Sequence, residues 1–399
     1  MIETHQTPAI VTSMNINGLA VARVLGRHGV PVIGIHENRT DPETLCGFLD
    51  ELWHRDGSLI ELLMHQGTKF ADRPVLVPIT DEAVRVIAEH LEDLRSHYRV
   101  SMPEPSTVQR LIDKQGFDEW ARELEGDLSL PLPRTWIVEC PEDLDEVAAS
   151  ATFPCILKPP EKSAAFELAG GKKAYVLEDV AVLRSVYEQF REVQPRVIVQ
   201  QYIPGGDDEV YFCLLACGED HEPLATFTGR KLRQWRPHCG GTASAEPVDE
   251  PQLTELTTAF FRRVGMVGAC SMEFKRDPRD GAFYLIEPTV CRTDWQNGLA
   301  DANGAPIAYV AYRAALGLPT IGKPKPWLRR RWVEFGTDRL AAHYYRERGE
   351  LGRLAWLWSI RPPVRGAYFA LDDLKPFLRI LRRTLRRVRQ KVGLGGTES

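Results

Sequence analysis

Two short apolar segments, each carrying one glutamate and separated by turn residues, constrain the fold of this chain more than any other feature. The first reads Ser-Met-Glu-Phe-Lys over 271–275 and the second Tyr-Leu-Ile-Glu over 284–287, with Asp-Pro-Arg-Asp-Gly at 277–281 between them. This turn chemistry predicts a β-hairpin, and a favourable register would set Glu273 and Glu287 side by side. Two partly buried carboxylates repel each other unless a cation lies between them. Spacing alone leaves open a hairpin with two unrelated, solvent-facing acids.

A magnesium ion on a nucleotide phosphate would suit such a pair. Mg²⁺ prefers oxygen ligands and, when it bridges substrate phosphates, usually has only one or two protein carboxylates. The hairpin therefore indicates a site for a divalent cation carried by a phosphorylated ligand.

Length and composition place the chain among ordinary globular proteins. Its 399 residues, 43% hydrophobic and 26% charged, allow two or three domains, and a net charge of −5 gives no basic excess for nucleic acid. The eight cysteines include no CxxC pair, so we expect reduced, buried thiols and a cytoplasmic compartment. We expect neither a secretory signal nor a membrane-spanning helix, because the first residues and the apolar runs match neither pattern.

The first hundred residues alternate between strand-like and helix-like segments. Strands are predicted at 9–12, 30–35 and 74–78, and helices at about 17–28 and 81–94. This order predicts a small, doubly wound α/β domain with a parallel sheet. Its first turn lacks the GxGxxG fingerprint of dinucleotide sites, so we expect a scaffold that lends a few loop residues to a substrate pocket.

Several features suited to a phosphorylated ligand follow in order. Lys114 lies on a predicted helix, and Lys158 ends an apolar strand, where a lysine usually needs an anionic partner. The glycine-containing segment 161–173 could cradle phosphate through backbone N–H groups, although an ordinary loop would look the same. Gln-Gln-Tyr-Ile-Pro-Gly at 200–205 then leads to a further predicted strand that starts with Glu209.

These features, in this order and ending in the two-glutamate hairpin, resemble the ATP-grasp superfamily of ATP-dependent carboxylate ligases. The resemblance covers about residues 105–320 and implies an ATP-grasp fold, in which two α+β subdomains clamp ATP. Residues 1–104 resemble the α/β domain that precedes it in such enzymes. Residues 321–399 remain as a helical, basic C-terminal extension rich in tryptophan and arginine.

The resemblance implies a role for each matching residue. Lysines would hold the ATP phosphates, glycines would form a flexible loop over them, and the segment around residue 200 would contact adenine and ribose. The implied ATP contacts are Lys114, Lys158, Gly170, Gly171, Lys172 or Lys173, Gln200, Gln201, Ile203 and Glu209. Gln200 would face the adenine amino group, Gln201 and Ile203 would offer backbone groups, and Glu209 would hold the ribose. The implied Mg²⁺ ligands are Glu273, Glu287 and Thr289.

The segment after the second glutamate departs from the family pattern. Family members often have Glu-x-Asn-x-Arg, whereas this chain has Thr289 in place of the asparagine and an arginine shifted by one residue, at Arg292. Thr289 can still offer an oxygen to the metal, and Asp294 is near enough to substitute. Arg292 is the candidate for stabilising charge on the transferring phosphoryl group or the acyl phosphate; an ion pair with Asp294 is the structural alternative.

A second basic segment spans 228–242. We expect Arg230 or Lys231 to contact the γ-phosphate or the carboxylate substrate, with a solvated loop as the alternative, and we interpret His238 as a loop histidine. The interleaved aromatic residue could also suggest nucleic acid, but an anionic-substrate loop fits this architecture better. The wider sequence resembles the carboxylate–amine ligase branch, which includes D-aspartate ligase-like proteins.

That branch implies the overall reaction. A small carboxylate, which could be an amino acid, would react with Mg-ATP to give ADP and an acyl phosphate, and an amine would then displace phosphate. Lys158, Arg230 and Arg292 would be the catalytic cations. The alternatives are a nucleotide-binding module whose chemistry has decayed, and an ATP-grasp carboxylase or kinase.

The end of the chain predicts a basic amphipathic helix. Leu374, Phe377, Leu378, Leu381, Leu385 and Val388 recur at helical spacing, and no acid occurs from 375 to 391. Such a helix can lie on an anionic membrane surface or pack on its own protein. We expect residues 393–399 to form a frayed tail.

Overall fold

The fold is taken from a computed structural model that describes residues 7–160, 163–172, 174–238, 240–319 and 329–391, without the side chains of 164 and 387–391. Lys173, Cys239 and the predicted tail at 393–399 lie outside this part of the chain.

The N-terminal residues form a four-stranded parallel sheet in the order β3-β2-β1-β4. The strands are β1 (Ala9–Val11), β2 (Val32–His36), β3 (Glu51–His54) and β4 (Val75–Val77). The helices are α1 (Ile16–Arg27), α2 (Leu59–Gly67), α3 (Asp81–Glu89) and α4 (Leu91–Arg95), with a 3₁₀ turn at Pro42–Leu45. The predicted doubly wound α/β domain is confirmed, although β3 was not anticipated and the helix expected at 81–94 is divided at His90.

The turn from β1 into α1 depends on a glycine. A Cβ atom at Gly18 would lie 1.9 Å from the carbonyl oxygen of Ser13, so the backbone can pass this closely only without a side chain. Asn15 caps the helix by accepting from the Gly18 N–H at 3.0 Å, which satisfies one of the donors at the helix start.

The second part contains a four-stranded antiparallel sheet in the order β5-β8-β6-β7. Its strands are β5 (Thr135–Val138), β6 (Cys155–Lys158), β7 (Tyr175–Leu177) and β8 (Val197–Gln201). The helices of this part are α5 (Pro105–Ile112), α6 (Lys114–Leu128), α7 (Asp143–Ser150), α8 (Ala164–Leu168) and α9 (Val180–Phe190). Leu183 and Tyr187 of α9 are buried together with Val199 of β8, which covers one face of the sheet.

The third part is a seven-stranded sheet in the order β13-β12-β9-β10-β11-β14-β15. Its strands are β9 (Val210–Cys217), β10 (Pro223–Trp235), β11 (Gly241–Pro247), β12 (Gly268–Arg276), β13 (Phe283–Thr289), β14 (Arg331–Val333) and β15 (Val364–Gly366), with a 3₁₀ turn at Asp207–Glu209. The helices are α10 (Pro251–Arg263), α11 (Asn297–Ala302), α12 (Ile307–Ala315), α13 (Phe335–Glu347), α14 (Arg353–Ser359) and α15 (Lys375–Lys391).

In the described part of the chain, the segment after residue 320 contributes two strands to the seven-stranded sheet as well as three helices. Strand β14 pairs antiparallel with β11, and β15 pairs parallel with β14, so this segment widens the central sheet. An apolar cluster also runs from Ile10 of the N-terminal sheet through Leu111 and Phe117 to Phe260 and Phe274 of the third part. The three domain ranges given above stay predictions.

The chain end is attached to the N-terminal domain through a buried arginine. Arg23 of α1 donates to Asp373 Oδ2 at 2.9 Å and to the carbonyl oxygens of Ala367 and Tyr368, both at 2.8 Å. The side chains of Arg23 and Asp373 are only 4% and 1% exposed. Removal of either partner would leave a buried charge without its counterion, which is far more costly than loss of an exposed pair.

We therefore expect Asp373→Asn to lower the free energy of unfolding by about 3–5 kcal/mol. The neighbouring Asp372 pairs with Arg27 but is 45% exposed, so Asp372→Asn should cost about 1 kcal/mol or less. Chemical denaturation of the two variants measures this difference. Equal stability of the two would show that the Arg23 contact does not hold the C-terminal segment in place.

The cysteines of the described part are free. Six are buried, Cys140 is partly exposed, and burial raises the pKa of the Cys213 thiol to about 12. Such thiols stay protonated and unreactive at neutral pH. None of the helices in the described ranges is long and apolar enough to cross a bilayer.

Candidate active site

A cleft of about 470 Å³ lies between the four-stranded and seven-stranded sheets, and Asp81 of the N-terminal domain borders it. The predicted site residues that line it are Lys114, Lys158, Gln200, Gln201, Ile203, Glu273, Glu287, Thr289 and Arg292. The predicted residues that do not line it are Gly170, Gly171, Lys172, Glu209 and Arg230. Side chains from segments as distant as 114 and 292 thus share one cavity.

The two-glutamate hairpin forms as predicted. Strands β12 and β13 pair antiparallel with Glu273 directly opposite Glu287, and a β-bulge follows Glu273. Gly281 closes the turn with a φ of +78° and donates to the Asp277 carbonyl oxygen at 2.7 Å. Both glutamates border the cleft, so the expected side-by-side placement is confirmed, whereas a shared metal ion stays a prediction.

A buried lysine neutralises the first glutamate. Lys231 Nζ lies 2.7 Å from Glu273 Oε1 and 2.9 Å from Oε2, and Gln296 Nε2 donates to Oε1 at 3.3 Å. Gln296 also donates to Thr242 Oγ1 at 2.8 Å. Glu273 is therefore held in a fixed orientation from the β10 and β11 side of the sheet.

Arg230 does not share this environment. Consecutive residues of a strand point to opposite faces, and Arg230 donates instead to Glu246 at 2.7 and 2.9 Å. Burial by itself would raise the pKa of Glu246. The hydrogen bonds from Arg331 and Arg230 outweigh this effect and hold the pKa below its usual range. Arg230 is thus paired with Glu246, whereas Lys231 is the cation that contacts Glu273. The expected contact of Arg230 or Lys231 with the γ-phosphate or the carboxylate substrate stays a prediction.

The oxygen donors at the hairpin suit Mg²⁺ shared with a phosphate. Among the described residues, no group of three or more His, Cys, Asp or Glu side chains is placed to hold a metal ion without other ligands. Mg²⁺ usually takes one or two protein carboxylates when phosphate oxygens complete its coordination shell. Glu273 and Glu287 supply two carboxylates, and Thr289 lies nearby with a hydroxyl oxygen. Asp294 does not line the cleft; its carboxylate accepts from the Trp295 N–H at 2.8 Å.

A chain of hydrogen bonds runs along the opposite wall. Lys158 Nζ donates to Gln200 Oε1 at 3.1 Å, and Gln200 Nε2 donates to Thr135 Oγ1 at 2.9 Å. The Gln200 carbonyl, expected to face an adenine amino group, thus already accepts from Lys158. The N–H of Gln201 donates to the Arg134 carbonyl at 2.7 Å, so this N–H is already paired.

The cleft walls between these polar groups are apolar. The residues that supply such surface include Leu111, Phe117, Leu132, Ile156, Ile198, Ile203, Leu285 and Ile286. A cavity lined by apolar side chains with a few polar groups at its edges is typical of small-molecule sites. A flat aromatic ring of a ligand would fit against these side chains, and the charged groups of the same ligand would then lie near Lys158 and the glutamates.

Glu209 is placed differently from the prediction. It ends the 3₁₀ turn Asp207–Glu209 instead of starting a strand, and its carboxylate accepts from Arg276 at 2.7 and 3.0 Å. A ribose contact would require it to share its oxygens with Arg276, and this role stays a prediction.

Lys275 is a cleft residue that the sequence reasoning missed. It lies two residues after Glu273 on β12, and Nζ donates to the carbonyl oxygens of Gly205 and Gly206 at 2.9 and 2.5 Å. Burial lowers the pKa of Lys275, partly offset by Asp207 and Glu209. Residues two apart on a strand share one face, so the position of Glu273 could have indicated that Lys275 also points to the cleft.

Arg292 is held by the N-terminal domain. Its Nε donates to Asp81 Oδ1 at 2.7 Å, and its Nη1 lies 3.8 Å from Asp294 Oδ1. The ion pair with Asp294 is therefore present, and Asp81 is a second, nearer partner. Asn17 fixes the same loop by donating to the Thr293 carbonyl at 2.7 Å. Asp81 was also missed, although it follows the carboxyl end of a parallel strand, where ligand sites of such sheets lie.

A buried aspartate organises the loop after β10. Asp207 accepts from the backbone N–H of Gln234 at 2.7 Å, from Gln234 Nε2 at 2.9 Å, from the His238 N–H at 2.8 Å and from Tyr345 Oη at 2.6 Å. Burial and the bond to Asp207 raise the pKa of Tyr345, so the hydroxyl stays a donor. Gln234 and His238 both line the cleft, and Asp207 positions them.

Asp207→Asn should therefore disturb both stability and ligand binding. The amide replaces one acceptor oxygen with a donor that faces other donors, and we expect a loss of roughly 3 kcal/mol in the free energy of unfolding. We also expect several-fold weaker binding of the ATP that the resemblance implies for this cleft, measured by calorimetry. Asp208→Asn is the matched control, because Asp208 is exposed; equal behaviour of the two variants would remove Asp207 from the positioning residues.

The loop expected to cover the phosphates lies at the edge of the smaller sheet. Ser163 caps α8 by accepting from the Phe166 N–H at 3.1 Å, Gly170 has a φ of +81°, and the Lys172 N–H donates to Tyr175 Oη at 2.9 Å. Contacts of Gly170, Gly171 and Lys172 with phosphate stay predictions.

Comparison with known proteins supports the resemblance seen in the sequence. No family model matches the chain. The chain is 26% identical over 243 residues to a D-aspartate ligase of Enterococcus faecium, covering 58% of this chain and 56% of the relative. It is 27% identical over 228 residues to the arginine-specific large chain of carbamoyl phosphate synthase of Bacillus subtilis, covering 53% of this chain and 20% of the relative. The chain thus matches about half of the first relative and a fifth of the second.

Solved structures extend the comparison over most of the chain. N5-carboxyaminoimidazole synthetase from Staphylococcus aureus complexed with ADP superposes with a TM-score of 0.66 at 12% identity, covering 88% of each chain. An L-amino acid ligase from Bacillus licheniformis gives 0.57 at 12% identity, covering 78% of this chain and 75% of that one. The chain has the ATP-grasp fold, and its predicted resemblance to the ATP-grasp superfamily is confirmed.

Proposed function

We propose that this chain is an ATP-dependent ligase that joins a small carboxylate to an amine through an acyl phosphate, with release of ADP and phosphate. The observation that carries the proposal is the pairing of Glu273 with Glu287 on one wall of the cleft that holds Lys158 on the other. Two carboxylates and a lysine facing one cavity suit a polyphosphate with its magnesium ion.

The cleft suggests how ATP would bind. The base would lie among the apolar side chains near Ile203 and Leu285, and the phosphates would extend toward Lys114 and Lys158. Glu273 and Glu287, with the Thr289 hydroxyl, would hold Mg²⁺, which supplies positive charge at the β- and γ-phosphates. Lys231 would keep Glu273 oriented toward the ion.

The reaction would take place near Arg292. An oxygen of the substrate carboxylate attacks the γ-phosphorus, the bond from that phosphorus to the ADP oxygen breaks, and ADP leaves. The amine nitrogen then attacks the acyl carbon, the carbon–oxygen bond to phosphate breaks, and the amine loses a proton. The planar guanidinium of Arg292, held by Asp81, can donate two hydrogen bonds to the oxygens that gain charge.

The names of the relatives suggest the substrate class. One is a D-aspartate ligase and one structural neighbour is an L-amino acid ligase, which supports an amino acid as one of the two substrates. Structural neighbours also include a biotin carboxylase domain in complex with MgADP and bicarbonate. Bicarbonate in place of an organic carboxylate is therefore the second candidate.

A substrate screen tests the proposal. The purified chain is incubated with Mg-ATP, a panel of amino acids and small carboxylates, and a panel of amines, and released ADP and phosphate are quantified. We expect one acid–amine pair to give ADP release that requires both partners. ADP release with bicarbonate and no amine would favour the carboxylase, and ATP binding without any turnover across the panels would favour a module with decayed chemistry.

A further inference from the structure

The last helix of the structure carries an apolar face that no other part of the described chain covers. Three leucines on it are well exposed, Leu378 at 43%, Leu381 at 42% and Leu385 at 52%, and Leu374, directly before its first residue, is 40% exposed. Their spacings of four, three and four residues place them in one row along the helix. Leu371, just before the helix, is 82% exposed and Phe369 is 38% exposed, and the Phe369 and Phe377 rings lie 5.2 Å apart.

A different face of α15 attaches the helix to the protein. Ile380, Arg383 and Thr384 border a crevice with His36 and Asp41 of the N-terminal domain. Arg383 donates to the Thr40 carbonyl oxygen at 2.8 Å and lies 3.6 Å from Asp41. The helix is thus fixed with its leucine row turned away from the protein. Packing on its own protein therefore accounts for one face of the helix and leaves the leucine face unexplained.

Positive charge flanks the leucine row. The 17 residues of α15 include eight lysines and arginines and no acid, although the whole chain has a net charge of −5. Arg382 and Arg386 are exposed and project beside the leucines at helical spacing. Positive charge is therefore concentrated beside the exposed leucine row of α15.

We propose that this face of α15 docks on the surface of an anionic lipid bilayer. The leucine row would enter the boundary between headgroups and acyl chains, and the flanking arginines would contact anionic headgroups. A helix that lies in the interface needs an apolar stripe and basic flanks but not the length to span the membrane. The proposal is independent of the ligase reaction.

The charge pattern favours a bilayer over two other occupants. A nucleic acid would pair with the arginines but would leave the leucines in water. A second copy of the chain, joined by a two-fold interface, would bring the same basic helix against itself, with eight positive charges on each side. Anionic lipid, unlike these two occupants, satisfies both the apolar row and the cations.

Vesicle sedimentation tests the proposal with the full chain. The vesicles are phosphatidylcholine alone or with 30% phosphatidylglycerol, a composition chosen for the experiment to add an anionic surface. We expect binding to the anionic vesicles that weakens as salt rises. Leu378→Gln/Leu381→Gln/Leu385→Gln should lower the affinity by about 10²-fold or more, and Arg382→Gln/Arg386→Gln by about tenfold.

The matched control removes three exposed leucines elsewhere. Leu340, Leu354 and Leu357 on α13 and α14 are 41%, 82% and 53% exposed, and their triple replacement by glutamine should leave vesicle binding unchanged. The proposal is overturned if the native chain ignores anionic vesicles at low salt, or if the control loses as much affinity as the α15 variant. It is also overturned if the leucine variant changes only the oligomeric state in sedimentation velocity, or if the native chain binds RNA and not vesicles.

Discussion

Glu287→Gln is expected to lower kcat by about 10²-fold or more and to leave the fold intact. Glu287 is exposed at the wall of the cleft, so the substitution removes a charge without leaving a buried group unpaired. The amide keeps the shape of the side chain but loses the negative charge that would hold Mg²⁺ on the phosphates. Steady-state kinetics of ADP release and a thermal melt of the same sample measure the two effects.

Asp280→Asn is the matched control for this variant. Asp280 lies in the turn of the same hairpin, is exposed, and accepts from the Ala282 N–H at 2.9 Å, which an asparagine oxygen can still do. Its turnover should remain close to that of the native chain. Turnover of Glu287→Gln equal to that of Asp280→Asn would exclude Glu287 as a metal ligand.

Replacement of Glu273 would change both metal binding and stability, unlike replacement of Glu287. Lys231 is its closest cation, and the Lys231 side chain is only 4% exposed. Replacement of Glu273 by glutamine would leave that lysine without its counterion and destabilise the fold by several kcal/mol, as for other broken buried pairs. Loss of activity in that variant would therefore not separate metal binding from stability.

Arg292→Lys is also expected to lower kcat by about 10²-fold with little change in ATP affinity. Lysine keeps the charge but loses the planar fork that grips two oxygens, and a contact that strengthens in the transition state affects kcat more than binding. If Arg292 only paired with Asp81, the substitution would cost about 1 kcal/mol of stability or less and leave turnover intact.

Asp81→Asn tests whether the hydrogen bond from Arg292 to Asp81 orients the guanidinium for catalysis. Because Asp81 accepts from Arg292 Nε at 2.7 Å, its neutralisation should loosen the guanidinium and lower kcat several-fold without abolishing it. Equal kcat for the native chain, Asp81→Asn and Arg292→Lys would remove Arg292 from the catalytic groups.

The sequence predicted best those features that depend on neighbouring residues. The hairpin register of Glu273 and Glu287 followed from turn chemistry and strand alternation within about twenty residues. The parallel N-terminal sheet followed from its β-α-β order. Strands β14 and β15 were missed because each has only three residues and forms only by pairing with the edge of a sheet built earlier in the chain.

Contacts between distant segments could not be predicted from local pattern. Arg230 and Lys231 are neighbours on β10, and only the packing of its two faces places Lys231 against Glu273 and Arg230 against Glu246. Arg292 and Asp81 are 211 residues apart, and only the packing of the N-terminal domain on the loop after β13 brings them together. Glu209 is diverted to Arg276 because its 3₁₀ turn precedes the strand in which it was expected.

Transfer of oxygen from the acid to phosphate tests the central claim most directly. The carboxylate identified by the substrate screen is labelled with ¹⁸O, and the products are analysed by phosphorus NMR and mass spectrometry. An acyl phosphate places one labelled oxygen in the released phosphate and yields ADP, since the carboxylate oxygen that attacked the γ-phosphorus leaves with it. Unlabelled phosphate, or AMP and pyrophosphate as the stoichiometric products, would contradict the proposed reaction.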